Sequence, residues 1–441
     1  MMTDEPFRPS LHLTPPKGWM NDPNGLIKIG DIWHVFYQHD PGSTLHDRMH
    51  WGRASTRDFV SWVHHPDALA PEGEWMCYSG SAVATDDGVK LLFTEHKPLP
   101  SGGECQRQSL VHADLDAGTF RRDPANPVLT SHGAGVFRDP KVIRHESSGR
   151  WIMLITTGQE IAFYSSQDLV AWEFESVFGA NDGFHTDAPW ECPDLFELAT
   201  PEGETAWVLS VGVAGGVPGG GTGTQYFVGD FDGRRFINRN APDQVLWADW
   251  GRDFYAAQSF FRSDGGTPVW LAWASNWRYA RQTPTVAFRG ALTHPRELSL
   301  RQTPGGLRLI QRLPETVRRS LPLASEAGPG GVAAYREEFT LAPGEVLRLF
   351  GEDTPQLRRS EDGRSLMVTR YGAWAETAAP AFAGSYQLPI SDGPLRGEVY
   401  VDHGIVEIAL DDGATWITEV HYPDALTVAP EVCRWSPQEA A

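Results

Sequence analysis

Three short stretches of this chain set a carboxylate beside a proline and an apolar flank. They are Trp19-Met20-Asn21-Asp22-Pro23-Asn24-Gly25, Phe137-Arg138-Asp139-Pro140-Lys141-Val142 and Trp190-Glu191-Cys192-Pro193-Asp194-Leu195-Phe196. Asp-Pro-Asn-Gly is turn chemistry, since Pro fixes its own φ and Asn-Gly tolerates left-handed backbone. It predicts Asp22 on a sharp turn at the start of the strand-like stretch Leu26–Gln38. A carboxylate held there, open on one side and hydrogen-bonded on the other, stays ionised at neutral pH and suits a nucleophile. Taken singly, the three are a polar turn, a surface ion pair and a solvated loop. Taken together they predict carboxylates that converge from separate segments on one cleft, and two carboxyl groups flanking a scissile bond is the glycosidase arrangement.

Composition narrows the partner. A formal charge of −20 over 441 residues argues against nucleic acid and anionic membranes, which reward basic surfaces. A small neutral sugar fits better, and 17 Trp supply both core and faces suited to stacking on sugars. Cys77, Cys105, Cys192 and Cys433 show no Cys-x-x-Cys or Cys/His spacing, so neither zinc nor a disulfide framework is expected. Cys192 has no evident His partner and is read as packing. His46 and His50 lack a helical pattern and a third ligand. Gly215–Gly223 lacks a true phosphate-loop pattern, a Walker lysine and a following helix, and reads as a loop between strands. No metal and no cofactor are expected. The start, Met1-Met2-Thr3-Asp4-Glu5-Pro6, has neither a basic nor an apolar leader region, and no stretch is long enough to span a membrane. The expectation is a cytoplasmic protein if Met1 is the natural start.

The elements that position these residues show as a repeat. Apolar runs of like pattern begin at Asp31, Gly88, Gly149, Thr205 and Thr267, with a period of about 60 residues. Several are followed by a hairpin that ends in an aromatic, as in Ser55–Trp62 and Ser165–Trp172. A repeat built from short strands predicts propeller blades, and five repeats predict five blades ending near Leu300. Asp22 precedes the first repeat, Asp139 the third and Glu191 the fourth, so equivalent places in different blades face one central funnel. Linker signals accumulate at 314–331. Beyond them, short β-type runs and the hairpin turn Asp411-Asp412-Gly413 predict a sandwich. The expected fold is all-β: a five-bladed β-propeller at 1–313, a linker at 314–331 and a C-terminal β-sandwich at 332–441.

At these residues the chain resembles glycoside hydrolase family 32, the invertases, levanases and inulinases. The three carboxylate motifs match hallmarks of that family. So do Met49–Gly52, Cys77–Val83, Gly223–Asp230, Asp253–Gln258 and His294–Leu298, and Asp402–Thr418 is similar to its sandwich signature. The resemblance implies a five-bladed propeller plus β-sandwich and a retaining β-fructofuranosidase acting on sucrose or short fructans. It implies Asp22 as nucleophile, Glu191 as acid/base and Asp139 as stabiliser of the transition state, with Arg138 holding the fructosyl ring. Asn21, Gln38 and Ser79 match pocket residues, and Trp273 or Trp277 supplies an aromatic rim. Tyr78 stands where the family usually has Phe, and His46 where many members have Trp, so a roomier, wetter wall is expected beyond the fructosyl pocket. The sandwich is short, at about 110 residues. Two rival readings keep the same residues: transfer of fructose to another sugar, and a catalytically silent sugar-binding propeller. The second is disfavoured by a nucleophile paired with an acid.

Overall fold

The computed structural model describes residues 5–434, except 101, 132–134, 263, 327–332, 351–352, 373–378 and 424–429. The five apolar repeats are strands: Ile32–Asp40, Gly88–Pro98, Arg150–Thr156, Thr205–Val213 and Val269–Trp273. Each is the second strand of an antiparallel sheet and is buried along most of its length. Strands covered on both faces read as continuous apolar runs rather than as alternation, which is why the repeat is visible. The first, innermost strands are Gly18–Ile29, Met76–Thr85, Arg138–His145, Trp190–Ala199 and Tyr255–Ser259.

Among the described residues, five such sheets fill positions 18–312. Each inner strand contacts the next, and the fifth contacts the first. Blade five also laces onto blade one. Phe261–Arg262 and Phe288–Arg289 run parallel to the first inner strand, opposite Ile27–Lys28 and Gly18–Trp19. Apolar layers fill the space between blades, such as Phe36, Trp51, Leu91 and Phe93 between the first two and Leu154, Phe163, Leu209 and Phe227 between the third and fourth. The aromatic-ended hairpins of blades one and three share one device. Asp58 Oδ1 accepts from the N–H groups of Val60 and Ser61 at 2.9 and 2.8 Å. Asp168 Oδ1 accepts from those of Val170 and Ala171, both at 2.9 Å.

Pro314 leads into a short helix, Glu315–Ser320, and Ala324–Glu326 forms a 3-10 turn. The stretch expected as linker therefore has its own structure up to residue 326, and 327–331 lie outside the described residues. Two further sheets follow. One runs Ala334–Leu341, Leu395–Asp402, Ile405–Leu410, Thr415–Val420; the other runs Gly384–Pro389, Ser365–Arg370, Asp353–Arg359, Glu345–Phe350, Glu431–Arg434. Apolar side chains from both sheets, including Leu347, Leu366, Val399 and Ile408, form one core.

The contact between propeller and sandwich is rich in buried charge. Arg296 donates to Glu407 Oε2 at 2.6 Å and to Asp249 Oδ2 at 2.9 Å, with all three side chains at 0% exposure. Arg252 pairs with Glu419 at 3.0 Å, and Arg370 pairs with Asp253 at 2.6 Å. His12 bridges Asp402 at 2.9 Å and Glu407 at 3.0 Å. Burial alone lowers the pKa of His12, but the two carboxylates outweigh it and raise the group to about 9.

Candidate active site

At one end of every inner strand the pairing with the second strand slips. The slip lies between Met20 and Pro23, Cys77 and Gly80, Arg138 and Lys141, Glu191 and Asp194, and Tyr255 and Gln258. Five β-bulges thus stand at equivalent places around the axis, and a bulge re-aims the residues that it frees from the ladder. Inside the slip, the first residues are Asn21, Tyr78, Asp139, Cys192 and Ala256, and the second residues are Asp22, Ser79, Pro140, Pro193 and Ala257. Arg138, Glu191 and Tyr255 are the last paired residues before the slip in blades three to five. Asp139, Cys192 and Ala256, the first residues of the slip in blades three to five, adopt φ of +62°, +48° and +53°, in the left-handed region. Asp22 is therefore inside the strand Gly18–Ile29, not on a turn ahead of it. The prolines at 23, 140 and 193 mark places where a ladder N–H is dispensable.

The backbone groups released by the bulges are claimed by neighbouring blades. Ser81 Oγ donates to Pro140 O at 2.8 Å. Gln258 Nε2 donates to Cys192 O at 3.0 Å and Pro193 O at 3.1 Å. Below them, Lys141 Nζ pairs with the buried Asp194 at 2.8 Å. Blades are thus stitched together at the slips themselves and just below them, which fixes the depth of each.

Asp22 Oδ2 accepts from Ser79 Oγ at 2.8 Å and faces Cys192 Sγ at 3.5 Å. Its Oδ1 is buried with no partner in hydrogen-bond geometry among the described residues, although the Asn21 side chain lies near enough to Asp22 to favour its charged form. Burial, and then the charge of Glu191, raise the pKa of Asp22. Glu191 is clasped from two sides: Arg138 Nη2 donates to Oε1 at 2.7 Å, and the Tyr255 hydroxyl donates to Oε2. Asp139 lies 3.8 Å from Arg138 Nε and accepts from Cys192 N at 2.9 Å. Its pKa is pushed up to about 7 by burial, with Arg138 opposing and Glu191 and Asp22 adding to the rise. Three carboxylates around one guanidinium leave excess negative charge, so the cluster retains a proton more readily than separate acids would. Exposure separates the roles. The Glu191 side chain is 23% exposed and that of Asp139 is 7%, so water reaches Glu191 more readily than Asp139.

The expected site residues converge, with one exception. Asn21 Oδ1 accepts from Trp19 Nε1 at 2.7 Å, and Gln38 Nε2 donates to Cys77 O at 2.9 Å. Trp277, half-buried, stacks on Trp19 at 5.7 Å and 22° and meets His46 edge-on at 5.3 Å. Trp273, at 0% exposure, lies beneath it and does not form the rim. Tyr78 lies flat on His96 at 4.0 Å and 2°. His46 is lowered to about 4, by burial first and Arg281 second, so its imidazole is neutral at pH 7. Tyr255 is the residue that sequence reasoning missed. Its signal lay in register, because it occupies in blade five the place that Arg138 and Glu191 occupy in blades three and four.

A family model described as "Glycosyl hydrolases family 32 N-terminal domain" matches residues 12–312. The chain is 37% identical over 455 residues to a levanase of Bacillus subtilis, covering 96% of this chain and 67% of that one. It is 36% identical over 323 residues to an invertase of Schizosaccharomyces pombe, covering 67% of this chain and 54% of that one. Among solved structures, a β-fructofuranosidase of Schwanniomyces occidentalis complexed with fructosyl-erythritol superposes with a TM-score of 0.84 at 26% identity, covering 98% of this chain and 94% of that one.

Proposed function

The chain belongs to glycosyl hydrolase family 32 and is a β-fructofuranosidase, and we propose that Asp22, Glu191 and Asp139 carry its reaction as a retaining double displacement on sucrose or fructans. Fructose C2 bears the ring oxygen, the glycosidic oxygen and two carbons, so the positive charge that develops there is comparatively well stabilised. Asp22 Oδ1 attacks C2 while Glu191 protonates the departing oxygen, and a fructosyl ester of Asp22 forms. Water deprotonated by Glu191 then attacks C2, releases fructose and returns the proton to Glu191. Asp139 transfers no proton. It accepts hydrogen bonds from the sugar hydroxyls on C3 and C4, and these strengthen as charge develops.

The observation that carries this reading is the unequal treatment of two neighbouring carboxylates. Asp22 has one oxygen held by Ser79 and one with no partner in hydrogen-bond geometry, as a nucleophile requires. Glu191 has both oxygens oriented by donors, Arg138 on Oε1 and the Tyr255 hydroxyl on Oε2, which fixes its direction and favours the carboxylate that takes a proton from water in the second step. The test is product analysis on sucrose, inulin and levan in water containing methanol, followed by NMR. Free fructose and methyl β-fructofuranoside, with the configuration retained, are expected. Inverted methyl fructoside overturns the double displacement, and release of no fructose overturns the whole reading.

A further inference from the structure

Trp277 stands on the loop that joins Val269–Trp273 to Phe288–Arg289, and the regular structure of that loop is limited to the 3-10 turn Ala280–Gln282. Its position therefore depends on side-chain anchors rather than on a strand ladder. Asn276, fully buried, is the first. Its Nδ2 donates to Arg252 O at 2.7 Å and Gly220 O at 3.0 Å, and its Oδ1 accepts from Arg278 N at 3.1 Å. The glycine-rich run wraps this anchor so closely that a Cβ on Gly221 would lie 2.1 Å from Asn276 Oδ1. The run is glycine because it must hug the loop.

The second anchor comes from the other domain. The Tyr279 hydroxyl, two residues past Trp277, donates to Asp253 Oδ1 at 2.6 Å and accepts from Arg370 Nη2 at 2.7 Å. Arg370, on a sandwich strand at 0% exposure, also donates to Asp253 Oδ2 at 2.6 Å, Val420 O at 2.9 Å and Phe382 O at 3.0 Å. The Tyr279 ring meets Phe382 of the sandwich edge-on at 5.1 Å. A planar guanidinium with its donors committed in fixed directions is a rigid post. We propose that Arg370 and Tyr279 are positioning residues through which the sandwich sets the placement of Trp277, and with it the grip on the sugar that leaves. This rests on the reading of the site above as one that cleaves sucrose or fructans, with Trp277, half-buried and edge-on to His46, taken to face the sugar that leaves. Asp253 also lies two residues before Tyr255, which touches Glu191. That strand is held by its own pairing, Tyr255 opposite Trp273, so the loop is the part free to respond.

Tyr279→Phe deletes only the hydroxyl. With sucrose and inulin as substrates, the expected result is a KM raised about fivefold or more with kcat within twofold of the parent. Trp277→Ala is expected to raise KM as well, and adding Tyr279→Phe to it should change KM by less than twofold, because the two act as one unit. Amide exchange should quicken in 275–283 and not in the sandwich strands. A fall in kcat at constant KM would mean that the coupling runs to Glu191 instead, and it would overturn the proposal, as would multiplicative effects or an unchanged KM. If the parent released no fructose, the reading of the site would fail on its own. The exchange measurement would still decide the anchoring: faster exchange confined to 275–283 supports it, and unchanged exchange overturns it.

Discussion

Ser79 restrains one oxygen of Asp22 and the other has no partner in hydrogen-bond geometry, so the amide in Asp22→Asn preserves the fit while removing the attacking lone pair. Turnover of sucrose should fall by about 10⁴-fold or more with the fold intact by circular dichroism. Glu191→Gln should slow sucrose by about 10²–10⁴-fold and regain rate when azide or an activated leaving group relieves the need for proton transfer. Asp139 offers a test of different sign. Its folded pKa of about 7 exceeds the roughly 3.9 of an unfolded aspartate. Its favourable contribution to stability is therefore complete below about pH 4 and is lost as pH rises through 7. Asp139→Asn should lower kcat/KM by several orders of magnitude, yet its melting temperature should gain on the parent as pH goes from 5 to 8. Thermal unfolding across that range checks it. His46→Trp should move the ratio of kcat/KM for sucrose to that for inulin and levan by about fivefold, equivalent to roughly 1 kcal/mol of stacking, since His46 already lies edge-on to Trp277. At this scale much was legible in the sequence. The three carboxylates stood out by their proline neighbours, and Arg138, Ser79 and Asn21 came with their motifs. Tyr255 did not, because a phenol beside a carboxylate has no sequence mark of its own. Trp273 and Trp277 were indistinguishable because both sit in one aromatic stretch, and only the depth of each in the blade separates them.

The element that matters most is the bulge, and it explains what the repeat could not convey. The second strands announced themselves because they are apolar on both faces. A bulge inserts a residue without a characteristic composition, and Pro or Gly at positions 23, 80, 140 and 193 is its only trace. Asp-Pro-Asn-Gly consequently reads as a turn when seen alone. Its strand character shows only when Trp19↔Asp40 and Asn24↔Phe36 are seen paired on either side of the slip. Each bulge leaves carbonyls that a neighbour must satisfy, and Gln258 serves two of them. Gln258→Leu should cost about 1–3 kcal/mol per stranded group, measured by urea unfolding, and should lower activity through displacement of Cys192 and Glu191. The junction of the two domains supplies a pH test. His12, raised to about 9, contributes stability that is complete below about pH 6.5 and lost as pH rises through 9. Asp402 and Glu407, both lowered by His12 and their other partners, contribute stability present above the carboxylate range and lost in acid. His12→Gln should therefore be about 3–5 kcal/mol less stable at pH 6, with the difference shrinking toward pH 10.

For the molecule as a whole, the period of the repeat disclosed the number of blades, and the short runs of the tail disclosed a sandwich. The helix at 315–320 was hidden by the proline and glycine signals around it. Charge acts at this scale too. A surface carrying −20 neither attracts nor repels an uncharged sugar at a distance, so kcat/KM for sucrose should vary less than twofold between about 20 and 500 mM salt. A strong salt dependence would point to a charged substrate. The ring of five bulges has one more consequence, for engineering. It is a socket whose equivalent first seats are Asn21, Tyr78, Asp139, Cys192 and Ala256, and the neighbouring blades stitch to backbone carbonyls of the slip rather than to the seated side chains. Ala256 is the seat without a polar group, and its φ of +53° is the backbone that asparagine and aspartate tolerate best. A new functional group grafted there would share a floor with the existing carboxylates while leaving the ladders of all five blades untouched.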